Sequence, residues 1–189
     1  ASTHPSEEIF CAKTHLILRK TYSDVLTVIV PRHIDRIGKI HNELLNLNLK
    51  TVLYSNFEKL DNETDILLID VYGELKKFYE ISKCVFLGKS TIKSMAEDSG
   101  QNPVEPSRLG CKVFHGPHVS NFNEVYEYLK SLNITKEINS ADELGQALVE
   151  ELKEKKEKND HVIQKIENYG QSIFDNVIEE IKIYISNQG

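Results

Sequence analysis

Short, β-branched apolar runs recur along the chain: Val25–Val30, ended by Pro31, then Thr51–Tyr54, Ile66–Asp70, Cys84–Leu87, Cys111–Phe114 and the weaker Ile134–Ile138. Each is short for a helix and lacks the polar alternation of a half-exposed strand, so each predicts a strand buried on both faces. Between them apolar residues return at helical spacing, as at Ile37, Ile40, Leu44 and Leu45, or at Val125, Tyr128, Leu129 and Leu132. Strands that alternate with helices need right-handed crossovers. The predicted fold is therefore α/β, a Rossmann-like open parallel sheet with helices on both faces. Ligands of such sheets sit outside the carboxyl ends of the strands, so the loops after Val30, Asp70, Leu87 and Phe114 form the candidate site.

After residue 141 the pattern changes. A charge-dense stretch, Glu150–Lys158, predicts a solvated helix face. Ile163, Ile166, Ile173, Val177 and Ile181 then predict an amphipathic helix whose stripe packs on the sheet or on a neighbour. At 189 residues with 40% hydrophobic content, one core is the expectation: a single domain over 1–189, with carboxyl-terminal helices in 141–189. The opening, Ala1-Ser-Thr-His-Pro5, runs without an initiator methionine into a helical pattern. That suggests a piece of a longer protein.

Charge and cysteine usage narrow the chemistry. With 29 acidic against 23 basic residues and a net charge of -6, the chain lacks the basic excess of a nucleic-acid-binding surface. Cys11, Cys84 and Cys111 are widely spaced and read as buried reduced thiols. No C-x-x-C pair or H-E-x-x-H spacing offers a metal site. Apolar stretches fall far short of the ~20 residues that span a bilayer, and there is no signal peptide. These features predict a cytosolic, metal-free chain.

The strand ends carry polar groups suited to a nucleotide. Arg32, after Pro31, presents a planar fork that matches phosphate, or else a surface carboxylate. In Asp70-Val-Tyr-Gly-Glu-Leu75, Gly73 and Glu74 open a helix whose free N–H groups suit an anion or simply a cap. Gly88-Lys-Ser90 leads into an irregular stretch, Thr91 to Gly100. Asn102, Pro103 and Glu105 fit the cap, first-turn proline and early carboxylate of a helix. A carboxylate there also suits ribose hydroxyls, and its acceptor capacity allows both roles. In His115-Gly-Pro-His-Val-Ser-Asn-Phe122, Asn121 is the expected helix cap.

Taken in order, Ser2-Thr-His-Pro-Ser-Glu-Glu8, Pro31-Arg-His33, Tyr72-Gly-Glu-Leu75, Gly88–Ser90, Asn102-Pro-Val-Glu-Pro106 and Gly116-Pro-His-Val-Ser-Asn-Phe122 resemble the 3-deoxy-D-manno-octulosonic acid (Kdo) transferase family, from residue 1 to about 150. The resemblance implies the carboxyl-terminal half of a two-domain GT-B glycosyltransferase, the half that binds the donor CMP-Kdo. It places Pro31, Arg32, Tyr72, Gly73, Glu74, Asn102, Pro103, Val104 and Glu105 at the cytidine nucleotide. Ser2, Thr3, His4 and Glu7, with Ser90 and Gln101, would line the cleft. The catalytic base would lie in an amino-terminal domain that also takes the acceptor, a lipid A precursor, and carries the membrane association. The implied reaction is inverting and metal-independent, without a cofactor, at the cytoplasmic face of the bacterial inner membrane. Three positions depart from the family pattern: Ser6 stands for a usual glycine, Tyr72 for a usual methionine, and the stretch Thr91–Ser99 is longer and more polar. The residues alone also admit a uridine-nucleotide glycosyltransferase or epimerase, or a non-catalytic nucleotide-binding module.

Overall fold

The computed structural model describes residues 1–56, 59, 61–154 and 160–186. All six expected strands form: β1 (Thr27–Ile29), β2 (Thr51–Leu53), β3 (Ile66–Leu68), β4 (Cys84–Leu87), β5 (Lys112–His115) and β6 (Thr135–Glu137). They pair in parallel throughout, in the orders β1-β3-β2 and β4-β5-β6. The two halves are joined by the first residues of the chain. Thr3 bridges Pro31 in parallel, with its N–H donating to the Val30 carbonyl at 3.2 Å and its carbonyl accepting from Arg32 N–H at 2.9 Å. On the other side the Ala1 carbonyl accepts from Gly88 N–H at 2.9 Å, and the Ala1 amine donates to the Phe86 carbonyl at 2.6 Å. The resulting order is β2, β3, β1, residues 1–3, β4, β5, β6, with every carboxyl end on one edge. The expected Rossmann-like α/β fold is what the chain adopts.

Helices cover both faces. On one, α1 (Glu7–Leu18), α2 (Ile37–Leu45) and α6 (Ala141–Leu152) pack on alternate strand residues. Ala12, Ile40 and Leu44 meet Ile29, Ile66 and Leu68, while Leu144 meets Phe86, Phe114 and Ile138. On the other, α3 (Leu75–Ile81) and α5 (Asn123–Ser131) bring Tyr79 and Tyr126 against Leu87 and Val113. Burial on both faces is why the strands read as unbroken apolar runs. A short α4 (Val104–Arg108) leads into β5, and α7 (Asp160–Ser186) lies across α4.

Several local expectations are corrected. Cys111 precedes β5 instead of opening it; its buried thiol donates to the Tyr79 carbonyl at 3.1 Å. Burial pushes the Cys11 and Cys84 thiols up to about 12, so they are protonated and inert at neutral pH. The stretch after Thr91 is not wholly irregular, since Lys93–Asp98 winds as a 3-10 helix. Asn121 does not cap α5, because a 3-10 turn, Ser120–Phe122, intervenes. Its side-chain amide donates instead to Asp98 at 2.7 Å and ties down that same loop. In α2, Leu45 is exposed, because the buried line runs through Ile40 and Leu44 alone. Of the charged run, α6 covers residues as far as Leu152, and 155–159 lie outside the described residues. Along α7 only Ile166 is buried, whereas Ile173, Val177 and Ile181 face solvent, so the stripe does not pack on the sheet.

Candidate functional site

The carboxyl edge of the sheet is organised around one carboxylate. Glu7, fully buried at the start of α1, accepts from His4 N–H at 3.0 Å and Lys89 N–H at 2.7 Å through Oε2. Through Oε1 it accepts from Ser90 N–H at 3.1 Å, Thr91 N–H at 3.2 Å and the Thr91 hydroxyl at 2.9 Å. Five donors fill the ~four acceptor positions of a carboxylate. The loop after β4 is thereby clamped to the loop before α1. Such approach requires Gly88, where a Cβ would meet the Ser2 carbonyl oxygen at 2.5 Å and Glu7 Oε2 at 2.7 Å. Beside it Glu8, also buried, pairs with Arg36 at 2.9 Å and accepts from the Thr3 hydroxyl at 2.9 Å. The Ser90 hydroxyl donates to the Leu87 carbonyl at 2.6 Å and accepts from Gly116 N–H at 2.9 Å, stitching β4 to β5.

Thr3, Glu7 and Ser90 are thus buried structural groups and do not line an open cleft. The physical reason is local: strand-end and loop N–H groups in the dry interior need acceptors, and these side chains supply them. His4 is nearly buried as well, its Nδ1 3.2 Å from the Ser2 carbonyl and its ring edge-on to His33 at 5.8 Å. Burial lowers its pKa, so it stays neutral at pH 7. Ser2 and Gln101 are only partly covered. At Ser6 the backbone keeps the left-handed φ of 78° that glycine adopts freely, so the substitution leaves the turn in place.

Above this floor the predicted nucleotide residues sit on the same edge. Pro31 is buried as the partner of Thr3, and Arg32, next to it, is exposed. Its guanidinium forms no ion pair with a described carboxylate, so the surface-pair reading fails among these residues. One strand over, Tyr72 projects at 70% exposure ahead of Gly73, whose φ of +88° turns the chain into α3. Glu74 accepts from Lys77 at 2.7 Å and from the Tyr54 hydroxyl at 3.0 Å; Lys77 first, then Tyr54, holds its carboxyl below the usual range. Asn102 is not the N-cap itself but stands one residue further out. Its Oδ1 accepts from Val104 N–H at 2.9 Å, and Pro103 takes the cap position. Gly100 N–H donates to the Lys89 carbonyl at 2.7 Å and the Tyr126 hydroxyl to the Gln101 carbonyl at 2.9 Å, which anchors this segment beside the β4 loop.

Glu105 is exposed and opens with Asn102 and Val104 onto a cleft of about 370 Å³, walled also by Lys76, Arg108 and Glu167. Arg32 and Tyr72 lie outside its lining. The last three side chains escape sequence reasoning. Lys76 sits among ordinary helix-surface charges, and Glu167 joins the cleft only because Arg108 pairs with it at 2.9 Å across 59 residues. Among the described residues no group of His, Cys, Asp and Glu is arranged to hold a metal ion, and no helix is long and apolar enough to cross a membrane.

No protein-family model matches the chain. Curated relatives do. The 3-deoxy-D-manno-octulosonic acid transferase of Haemophilus influenzae is 32% identical over 162 residues, covering 86% of this chain and 37% of the relative. That of Aquifex aeolicus is 30% identical over 156 residues, covering 82% and 42%. The chain therefore spans about two-fifths of the length of these relatives. Among solved structures, the C-terminal CMP-Kdo binding domain of WaaA from Acinetobacter baumannii matches with a TM-score of 0.76 at 25% identity, over 88% of this chain and 84% of that one. In sequence and in fold the chain is thus related to the Kdo transferases, and it corresponds to the carboxyl-terminal domain of that family.

Proposed function

We propose that this domain holds CMP-Kdo through its cytidine monophosphate, and that the whole protein transfers Kdo from it to a lipid A precursor during lipopolysaccharide synthesis. The observation that carries this reading is that Arg32, Gly73–Glu74 and Asn102–Glu105 follow parallel strands whose carboxyl ends share one sheet edge, in a chain whose fold matches a CMP-Kdo binding domain. Each group has a physical task. The Arg32 fork, without an ion pair among the described residues, and the N–H groups after Gly73 suit a phosphate, and Glu105 suits ribose hydroxyls. Tyr72 flanks the base, Pro31, buried against Thr3, sets the course of the chain into Arg32, and Asn102, Pro103 and Val104 fix the helix that aims Glu105.

Transfer with inversion passes through an oxocarbenium-like state while the departing CMP gathers negative charge. Arg32 opposes that charge, and its loss costs ~2–4 kcal/mol of transition-state stabilisation by analogy with oxyanion donors. The base that activates the acceptor belongs to another part of the protein, as does whatever brings it to the cytoplasmic face of the inner membrane. No metal enters the scheme, so chelation leaves the activity of the whole enzyme unchanged.

Competition binding tests the reading. CMP displaces a labelled nucleotide from the domain better than UMP or UDP, and Glu105→Gln weakens CMP at least tenfold while the melting temperature holds. A preference for the uridine nucleotides, or a melting temperature that falls with unchanged affinity of the folded fraction, contradicts it. Turnover by residues 1–189 alone overturns the placement of the base elsewhere.

A further inference from the structure

Two cations flank one short segment on the carboxyl edge. Arg32, just past β1, donates its N–H to the Thr3 carbonyl at 2.9 Å. Lys89, just past β4, donates its N–H to Glu7 Oε2 at 2.7 Å, and His4 N–H donates to that same oxygen at 3.0 Å. His4 therefore stands between the two, on the segment that joins the halves of the sheet. Neighbouring strands lie about 4.8 Å apart, so with one segment between them the backbones of Arg32 and Lys89 are about 10 Å apart. A ligand seated above His4 is within reach of both side chains. Burial first, with His33 and Lys89 pushing the same way, keeps the intervening imidazole neutral.

The backbone at Lys89 is unusual. Its φ is +56°, in the left-handed region where glycine is free and an L side chain is strained. The surroundings impose that angle, since its N–H is tied to Glu7 and its carbonyl accepts from Gly100 N–H at 2.7 Å. A lysine stands there nonetheless, its side chain only 15% exposed, and its ammonium pairs with Asp98 at 2.9 Å. Asp98 is 80% exposed, and ion pairs open to water contribute little to stability. Nor does Asp98 need the lysine, because the Asn121 amide holds its other oxygen at 2.7 Å and Ser99 is bonded to Ser120. The ammonium can leave this partner for a better one with the loop still anchored. A strained position that carries a covered cation, beside a site for an anion, is where function offsets strain.

We propose that Lys89 binds the carboxylate of the donor sugar, and so distinguishes a nucleotide-linked keto acid from the nucleotide alone. This inference rests on the proposed function. Kdo is a keto acid, and in CMP-Kdo its carboxylate and the phosphate ester share one carbon, so the donor presents two anions side by side. Arg32 takes the phosphate. Lys89, across His4, takes the carboxylate as a point charge with three donors, in exchange for Asp98. Two anchors on the substituents of one carbon fix the orientation of that carbon, where the bond to phosphate breaks.

Equilibrium binding of CMP and CMP-Kdo to the chain and its variants tests it. Lys89→Gly suits the backbone at this position, so the melting temperature holds or rises. That variant binds CMP-Kdo about tenfold or more weakly and CMP within about twofold of the unchanged chain, and Lys89→Arg restores most of the loss. Asp98→Asn releases the ammonium and strengthens CMP-Kdo binding without changing CMP. An equal loss for both ligands in Lys89→Gly overturns the proposal, since it would put the lysine on the phosphate. If the unchanged chain binds CMP while Lys89→Gly leaves CMP-Kdo untouched, only this inference falls; if the unchanged chain binds neither ligand, the proposed function falls with it.

Discussion

At the scale of single residues, the polar groups on the carboxyl edge divide into those that build the edge and those left free on it. Glu7 belongs to the first kind, with five donors and no exposed surface. Arg32, Tyr72 and Glu105 belong to the second. Ser6 shows what building the edge costs. Its φ of 78° lies where an L side chain is strained by about 1 kcal/mol, and its hydroxyl makes no capping hydrogen bond in return. Ser6→Gly therefore stabilises the domain by about 0.5–1 kcal/mol in urea titration, with CMP affinity unchanged; a loss of stability would mean that the serine holds the turn by another route.

At the scale of elements, the contact between α1 and α6 fixes the helical layer against the sheet. Gly145 sits at that contact, where an added methyl would meet Ile17 Cγ2 at 2.7 Å and Cβ at 3.0 Å. Two effects oppose each other in Gly145→Ala. Helix propensity gains ~1 kcal/mol, and overpacking against a stiff β-branched side chain costs ~1–3 kcal/mol. Packing wins, and thermal melting shows a net loss of about 1 kcal/mol; a gain would place the two helices further apart. The strands were legible because burial on both faces writes itself as continuous apolar runs. Their carboxyl-end residues were legible because loops there carry polar groups against that background. What stayed hidden depends on distant partners. Glu7 looks like any first-turn acid until Ser90, 83 residues away, is placed on it. Residues 1–3 are too short to read as a strand, and Lys76 and Glu167 meet the site only through the packing of α3 and α7 on α4.

At the scale of the whole molecule, three buried histidines link stability to pH. His4, His15 and His115 are held neutral chiefly by desolvation, which lowers each pKa. His15 sits between Thr27 at 2.9 Å and Asp65 at 3.3 Å, and His115 is 2.7 Å from the Gly116 carbonyl. The unfolded chain takes up protons on these groups near pH 6.5 before the folded one does, so their contribution is complete above about 6.5 and is lost as pH falls towards the lowered values. Unfolding free energy thus declines between about pH 7 and 5, and His15→Asn flattens that decline. A stability that rises on acidification in this window contradicts the assignment.

On the proposed function, loops that follow separate strands share one edge and grip a cytidine phosphate there. A crystal of the domain soaked with CMP checks this at the atoms themselves. Nucleotide density is expected with its phosphate on Arg32 and Gly73 and its ribose on Glu105. Density at any other surface, or an empty edge at CMP concentrations that saturate binding in solution, would contradict it.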